Sequence, residues 1–171
     1  MSILKDKRMY ISGPIEYDDA ALNWRTEPIK VLRERFELNV FDPFQDPKQQ
    51  WVKDLHQARE NKDYETMVRI ARSFVRKDLA MVDRSDITIV YIRTGVPSWG
   101  ACHELINSNN AKKPTLLVCP DGKNKIPLWL WGFIKHEFMF GSWDDLYTYL
   151  DEVNQRKHID NNRWAFIYGL V

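Results

Sequence analysis

Two cysteines in 171 residues, Cys102 and Cys119, are too few for a disulfide framework and stand at no metal-binding spacing. Charge of one sign is lacking as well: 25 basic residues oppose 24 acidic ones, for a net charge of +1. Such a chain has no global field to attract a nucleic-acid polymer or an anionic membrane. No apolar run is long enough to span a bilayer, and a charged segment, not an apolar signal region, follows Met1. A soluble protein of a reducing cytoplasm is therefore expected, with neither polymer nor membrane as partner. Internal repeats, a P-loop, a Ser-His-Asp arrangement and a metal-ligand cluster are also missing.

Aromatic residues are abundant, with seven Trp, seven Tyr and eight Phe to supply core, stacking surface or subunit contacts. The length fits one ordinary domain that buries roughly two thirds of its unfolded surface. Arg8 to Ser12 reads as a strand ended by the turn Gly13-Pro14. Asp18 or Asp19 is placed to cap a helix from about Ala20 to Phe36, which Pro28 should kink or divide. Leu38 to Phe41 reads as a second strand. The segment from Gln45 to Val82 is helical in composition and should break near Asn61 to Asp63 into a crossover helix with an added arm.

Ile87 to Ile92 and Thr115 to Cys119 are predicted as the third and fourth strands, with a helix from Gly100 to Ala111 between them. Leu128 to Ile134 suggests a short helix and Glu137 to Phe140 a fifth strand. Ser142 should cap a helix through about Val153, and the aromatic tail from Arg163 to Val171 should be docked. Strands alternating with helices define a doubly wound, Rossmann- or flavodoxin-like α/β fold, a parallel sheet of about five strands with helices on both faces. One domain over residues 1–171 is expected, with a helical insertion at about 44–74 and a docked tail at about 154–171.

Two carboxylates flank the third strand, Asp78 on the helix before it and Glu104 on the helix after it. A right-handed crossover places the loop from Thr94 to Gly100 at the carboxyl edge of the sheet, where open α/β sheets bind ligands. Glu104 lies one turn past Gly100, so its side chain can point back toward that edge. Ser98 and the Gly100 amide can jointly hold an anion such as phosphate, although a serine there is also an ordinary helix cap. Tyr10 suits core or a ligand contact, and Gly13 answers a positive φ or a close ligand approach. Trp99 suits stacking on a base or covering core or an interface. His103 points about 100° away from Glu104 on a helix and is not paired with it. Asp83 is read as structural.

Taken together, M-Y-I-S-G-P-I at residues 9–15, D-L-A-M-V-D-R-S-D before the third strand, P-S-W-G-A-C-H-E-L after it and K-K-P-T-L-L-V resemble the nucleoside 2-deoxyribosyltransferase superfamily. The resemblance covers residues 9–15 and 75–119, and element order extends it to about residue 153. It implies that Glu104 is the nucleophile and Asp78 the acid or base partner, with Tyr10, Gly13, Ser98, Trp99 and Gly100 at the substrate. The P-S-x-G-x-x-x-E-L form is closest to the 2'-deoxynucleoside 5'-monophosphate N-hydrolase branch, where the serine binds phosphate. Two features depart from the pattern. Trp99 stands where the nucleoside transferases usually carry an acid, and Pro14-Ile-Glu-Tyr-Asp18 replaces the glycine- and arginine-rich turn of the hydrolases. Glu16 and Asp18 are poor neighbours for a phosphate.

The implied chemistry is cleavage of the N-glycosidic bond of a 2'-deoxyribonucleoside or its 5'-monophosphate through a covalent deoxyribosyl-Glu104 ester. Transfer to another nucleobase is the first expectation, transfer to water the second, and a nucleotide-binding or sensing domain without turnover the third. The partners implied are small: a deoxynucleoside or deoxynucleotide and a nucleobase. None of this requires a metal or an organic cofactor. The resemblance also implies a homo-oligomer.

Overall fold

The computed structural model describes residues 2–15, 23–44 and 48–170. The expected cap at Asp18 or Asp19, the helix start at Ala20 and the acids Glu16 and Asp18 lie outside the described residues.

Five strands form one parallel sheet in the order β2-β1-β3-β4-β5. They are β1 (Arg8–Ser12), β2 (Asn39–Phe41), β3 (Ile87–Tyr91), β4 (Thr115–Val118) and β5 (Met139–Phe140). All of β3 and β4 is buried, as strands covered on both faces require. The fifth strand is shorter than predicted. His136–Phe138 winds into a 3-10 turn whose Phe138 amide is spent on Lys135 O at 2.9 Å, leaving two residues to pair with β4.

Among the described residues, five α-helices, α1 (Thr26–Glu34), α2 (Lys48–Glu60), α3 (Tyr64–Arg84), α4 (Trp99–Asn110) and α5 (Trp143–Asn154), complete the doubly wound fold. Pro28 does not divide α1. It is the third residue of the helix, where its missing N–H has no intrahelical partner to lose. The break between α2 and α3 falls at residues 61–63, where the Asp63 carboxylate accepts from the Thr66 amide at 3.0 Å and caps α3. At the other end of α3, Lys113 Nζ donates to the carbonyls of Val82 and Asp83 at 2.6 and 2.7 Å. Ser142 caps α5 by accepting from the Asp145 amide. The predicted helix at 128–134 is a 3-10 segment, Leu128–Gly132.

The two faces of the sheet differ in chemistry. On one, Ile11, Ile89 and Leu116 pack with α1 and α5, and Tyr91, Trp24 and Trp143 form a mutual cluster of near-parallel rings. On the other, Tyr10, Thr88 and Thr115 stand opposite one another in register beneath α3 and α4. In the tail, Trp164 is fully buried and donates through Nε1 to the Tyr149 hydroxyl at 2.8 Å, while Tyr168 donates to Val153 O. Arg163 reaches Asn109 of α4 through two hydrogen bonds.

Candidate active site

In a sheet of this order the chain reverses direction of winding between β1 and β3, and the crevice outside their carboxyl ends is where ligands enter. A cleft of about 600 Å3 opens there. All seven residues expected at the site, Tyr10, Gly13, Asp78, Ser98, Trp99, Gly100 and Glu104, line it.

Strand alternation sends Tyr10 and Ser12 to the same face, and α4 lays Glu104 across them. Tyr10 donates its hydroxyl to one Glu104 oxygen at 3.0 Å, and Ser12 donates to the other. Glu104 is 7% exposed and Asp78 8%, so two carboxylates are held almost out of water in one cleft. Burying charge is costly unless it is hydrogen-bonded or paired, and two hydroxyl donors on one carboxylate meet that demand. Burial pushes the Tyr10 hydroxyl well above the ordinary tyrosine range, and the charges of Glu104 and Asp78 push it the same way. Tyr10 therefore remains a neutral donor at any physiological pH.

Gly13 has no positive φ. A Cβ there would stand 2.4 Å from the Trp24 ring and 3.1 Å from Tyr91 O, so the close approach that requires glycine is made by Trp24. The expected left-handed turn is corrected accordingly. Arg25, buried to 3% exposure, donates to Gly13 O at 3.1 Å and Pro14 O at 3.3 Å and lies 3.5 Å from Asp42. Burial lowers its pKa while Asp42 raises it. The turn after β1 is thus fixed from below by a cation tied to the end of β2.

Ser98 occupies the N-cap of α4 yet caps no amide with its side chain, its hydroxyl donating to Val96 O at 3.3 Å. Trp99 is 82% exposed at the cleft and covers no core of its own chain. His103, set aside in sequence because it points away from Glu104, nevertheless lines the same cleft.

Sequence reasoning missed three contributors. The face of Ser12 was legible, because it is two residues after Tyr10 on a strand, but its contact with Glu104 was not. Arg25 carried no signal: its role depends on carbonyls and a carboxylate brought together by the fold. The third is the helical hairpin of α2 and α3. Met67, Ala71, Phe74 and Asp78 recur at i, i+4, i+7 and i+11 and form a stripe on α3 that walls the cleft, opposite Val52, Leu55 and His56 of α2. The hairpin is held by Trp51 stacked on Phe74, ring centres 5.7 Å apart. Among the described residues no group of three or more His, Cys, Asp or Glu gathers to hold a metal ion, and no helix is long and apolar enough to cross a membrane.

The sequence matches no protein-family profile and no curated protein. Among solved structures, the fold is that of a 2-deoxyribosyltransferase from Bacillus psychrosaccharolyticus, with a TM-score of 0.56 and 23% identity over 81% of this chain and 89% of that one. A conserved protein from Enterococcus faecalis V583 shares it with a TM-score of 0.53 and 17% identity, over 88% of this chain and 99% of that one. At these identities the likeness is one of fold.

Proposed function

We propose that this chain is a nucleoside 2-deoxyribosyltransferase that moves 2-deoxyribose from one nucleobase to another. The observation that carries this reading is the pair of buried carboxylates in one cleft, with both Glu104 oxygens hydrogen-bonded and Asp78 on the neighbouring helix. Glu104 attacks C1' through an oxocarbenium-like transition state, and the electron pair of the breaking C1'–N bond goes to the departing base. Asp78 protonates that base. An acceptor base then gives its proton to Asp78 and attacks C1', returning Glu104 to its carboxylate. The apolar wall of α3 offers the surface on which a base lies, and Trp99 an exposed ring beside it. The residues of this mechanism require no metal or organic cofactor.

Ser98 favours a second reading. Its hydroxyl caps no amide at the amino end of α4, where a 5'-phosphate would be welcome, so a deoxynucleoside 5'-monophosphate N-hydrolase is the alternative. In either reading the enzyme works in the cytoplasm as a homo-oligomer, in keeping with the exposed Trp99, Leu128, Trp129 and Phe166.

The deciding experiment incubates the protein with 2'-deoxynucleosides and their 5'-monophosphates, each with and without a different free base, and resolves the products by chromatography. A new nucleoside or nucleotide formed only with the added base is the expected result. Free base released from monophosphates regardless of acceptor would move the assignment to the hydrolase. Absence of product from every pair would overturn both.

A further inference from the structure

The Ser12 hydroxyl is buried to 1% exposure and donates to Glu104, a contact that neither the motif nor the carboxylate pair called for. Its position differs from that of Tyr10. The strand runs toward the cleft, so Ser12, two residues further on, lies nearer the carboxyl edge of the sheet than Tyr10, and both line the cavity. Strand order thus sets the Ser12 backbone nearer the mouth of the cleft than the Tyr10 backbone, and the two hydroxyls meet different Glu104 oxygens. We infer that Ser12 donates to the Glu104 oxygen that attacks C1', and that its chief effect is to release the sugar from the covalent ester, not to form it.

The inference rests on the proposed covalent mechanism. A donor on a carboxylate oxygen lowers that oxygen's charge, which weakens it as a nucleophile and improves it as a leaving group. When the ester forms, the oxygen becomes the alkyl oxygen of an ester, a poor acceptor, and the Ser12 bond is largely lost. When the acceptor attacks C1', the C1'–O bond breaks, its electron pair returns to Glu104, and Ser12 donates to the regenerated charge. No proton leaves Ser12 in either direction. Tyr10 stays on the other oxygen, which becomes the ester carbonyl and still accepts. A hydrogen bond to a charged group is the stronger kind, so Ser12 sets the balance between ester and free carboxylate.

The test uses the full chain with the four common 2'-deoxynucleosides and their 5'-monophosphates, without acceptor base. Reactions are quenched in acid and analysed by intact mass and peptide mapping. In Ser12→Ala the ratio of Glu104 ester to free protein should rise by about tenfold over wild type, the loss of one charge-assisted hydrogen bond. Ser12→Thr, which keeps the hydroxyl, should restore the wild-type ratio, and Ser12→Cys, nearly the same size with a weak donor, should behave like alanine. Thermal melting confirms that each variant is folded. An equal ester ratio in wild type and both Ser12→Ala and Ser12→Cys overturns this inference and leaves the proposed function standing. A larger rise in Tyr10→Phe than in Ser12→Ala overturns the assignment of the attacking oxygen. Absence of ester from wild type and every variant overturns the covalent mechanism and this inference with it.

Discussion

The two faces of the sheet are built from the same strands and serve opposite ends. Toward α1 and α5, the stack of Trp24, Tyr91 and Trp143 and the contact of Phe36 with Tyr147 make a dry, aromatic interior. Toward α3 and α4, hydroxyls line up across three strands: Thr88 accepts from Ser108, which accepts from Thr115, each at 2.9 Å, and Tyr10 and Ser12 continue the row to Glu104. An apolar face gains stability simply by leaving water. A polar face must satisfy every buried donor and acceptor, and a fold keeps such a face where its groups have a task. On the proposed function, the chemistry falls on one side of β1 and the stability on the other.

Replacing the proposed nucleophile should produce the largest effect. Glu104→Gln is expected to lower turnover by a factor on the order of 10,000 or more while the thermal midpoint changes little. Turnover within tenfold of wild type would break the assignment of chemistry to this face. On the opposite face, Phe36→Ala removes a fully buried ring and should cost about 3–5 kcal/mol in urea denaturation, with KM unchanged in the folded fraction. A change in KM would mean the two faces are coupled.

Within the hydroxyl row, Thr88→Val keeps the shape and deletes one hydrogen-bond partner, for an expected loss of about 1 kcal/mol. A loss matching that of Phe36→Ala would show that the row is a core feature first. The smallest effect concerns alkaline pH. The Tyr10 pKa is raised in the folded protein, so its contribution to stability is complete below the ordinary value of 10.0 and is lost as pH rises toward the folded value. Wild-type stability should therefore fall above pH 10 more steeply than that of Tyr10→Phe. Parallel curves would show that Tyr10 ionises freely and is not gripped as described.

Much of the fold is legible because short apolar runs bounded by turn residues define β3 and β4 without reference to anything else. The break before Tyr64 is legible for a similar local reason, an aspartate able to cap the helix after it. Glu137 and Phe138 read wrongly as strand because one acid followed by three apolar residues does not reveal that the Phe138 amide is spent in a 3-10 turn. Pro28 reads wrongly as a helix breaker because its effect depends on where the helix begins. The candidate site residues are recognisable by resemblance, yet the α2–α3 wall reads in sequence as an arm. A helical stripe alone does not say whether it faces core, solvent or a cleft.

By itself, then, the sequence determined the alternation of elements, the parallel sheet and the placing of Asp78 and Glu104 on helices either side of β3. Those come from periodicity, turn chemistry and the handedness of crossovers, all of which act over neighbouring residues. Only the tertiary structure decided that Ser12 joins Tyr10 on Glu104, 92 and 94 residues away, that Arg25 fixes the turn after β1, and that Trp24 makes Gly13 necessary. Each is a contact between segments whose meeting is set by packing and burial, and no local pattern encodes which buried donor will reach which buried charge.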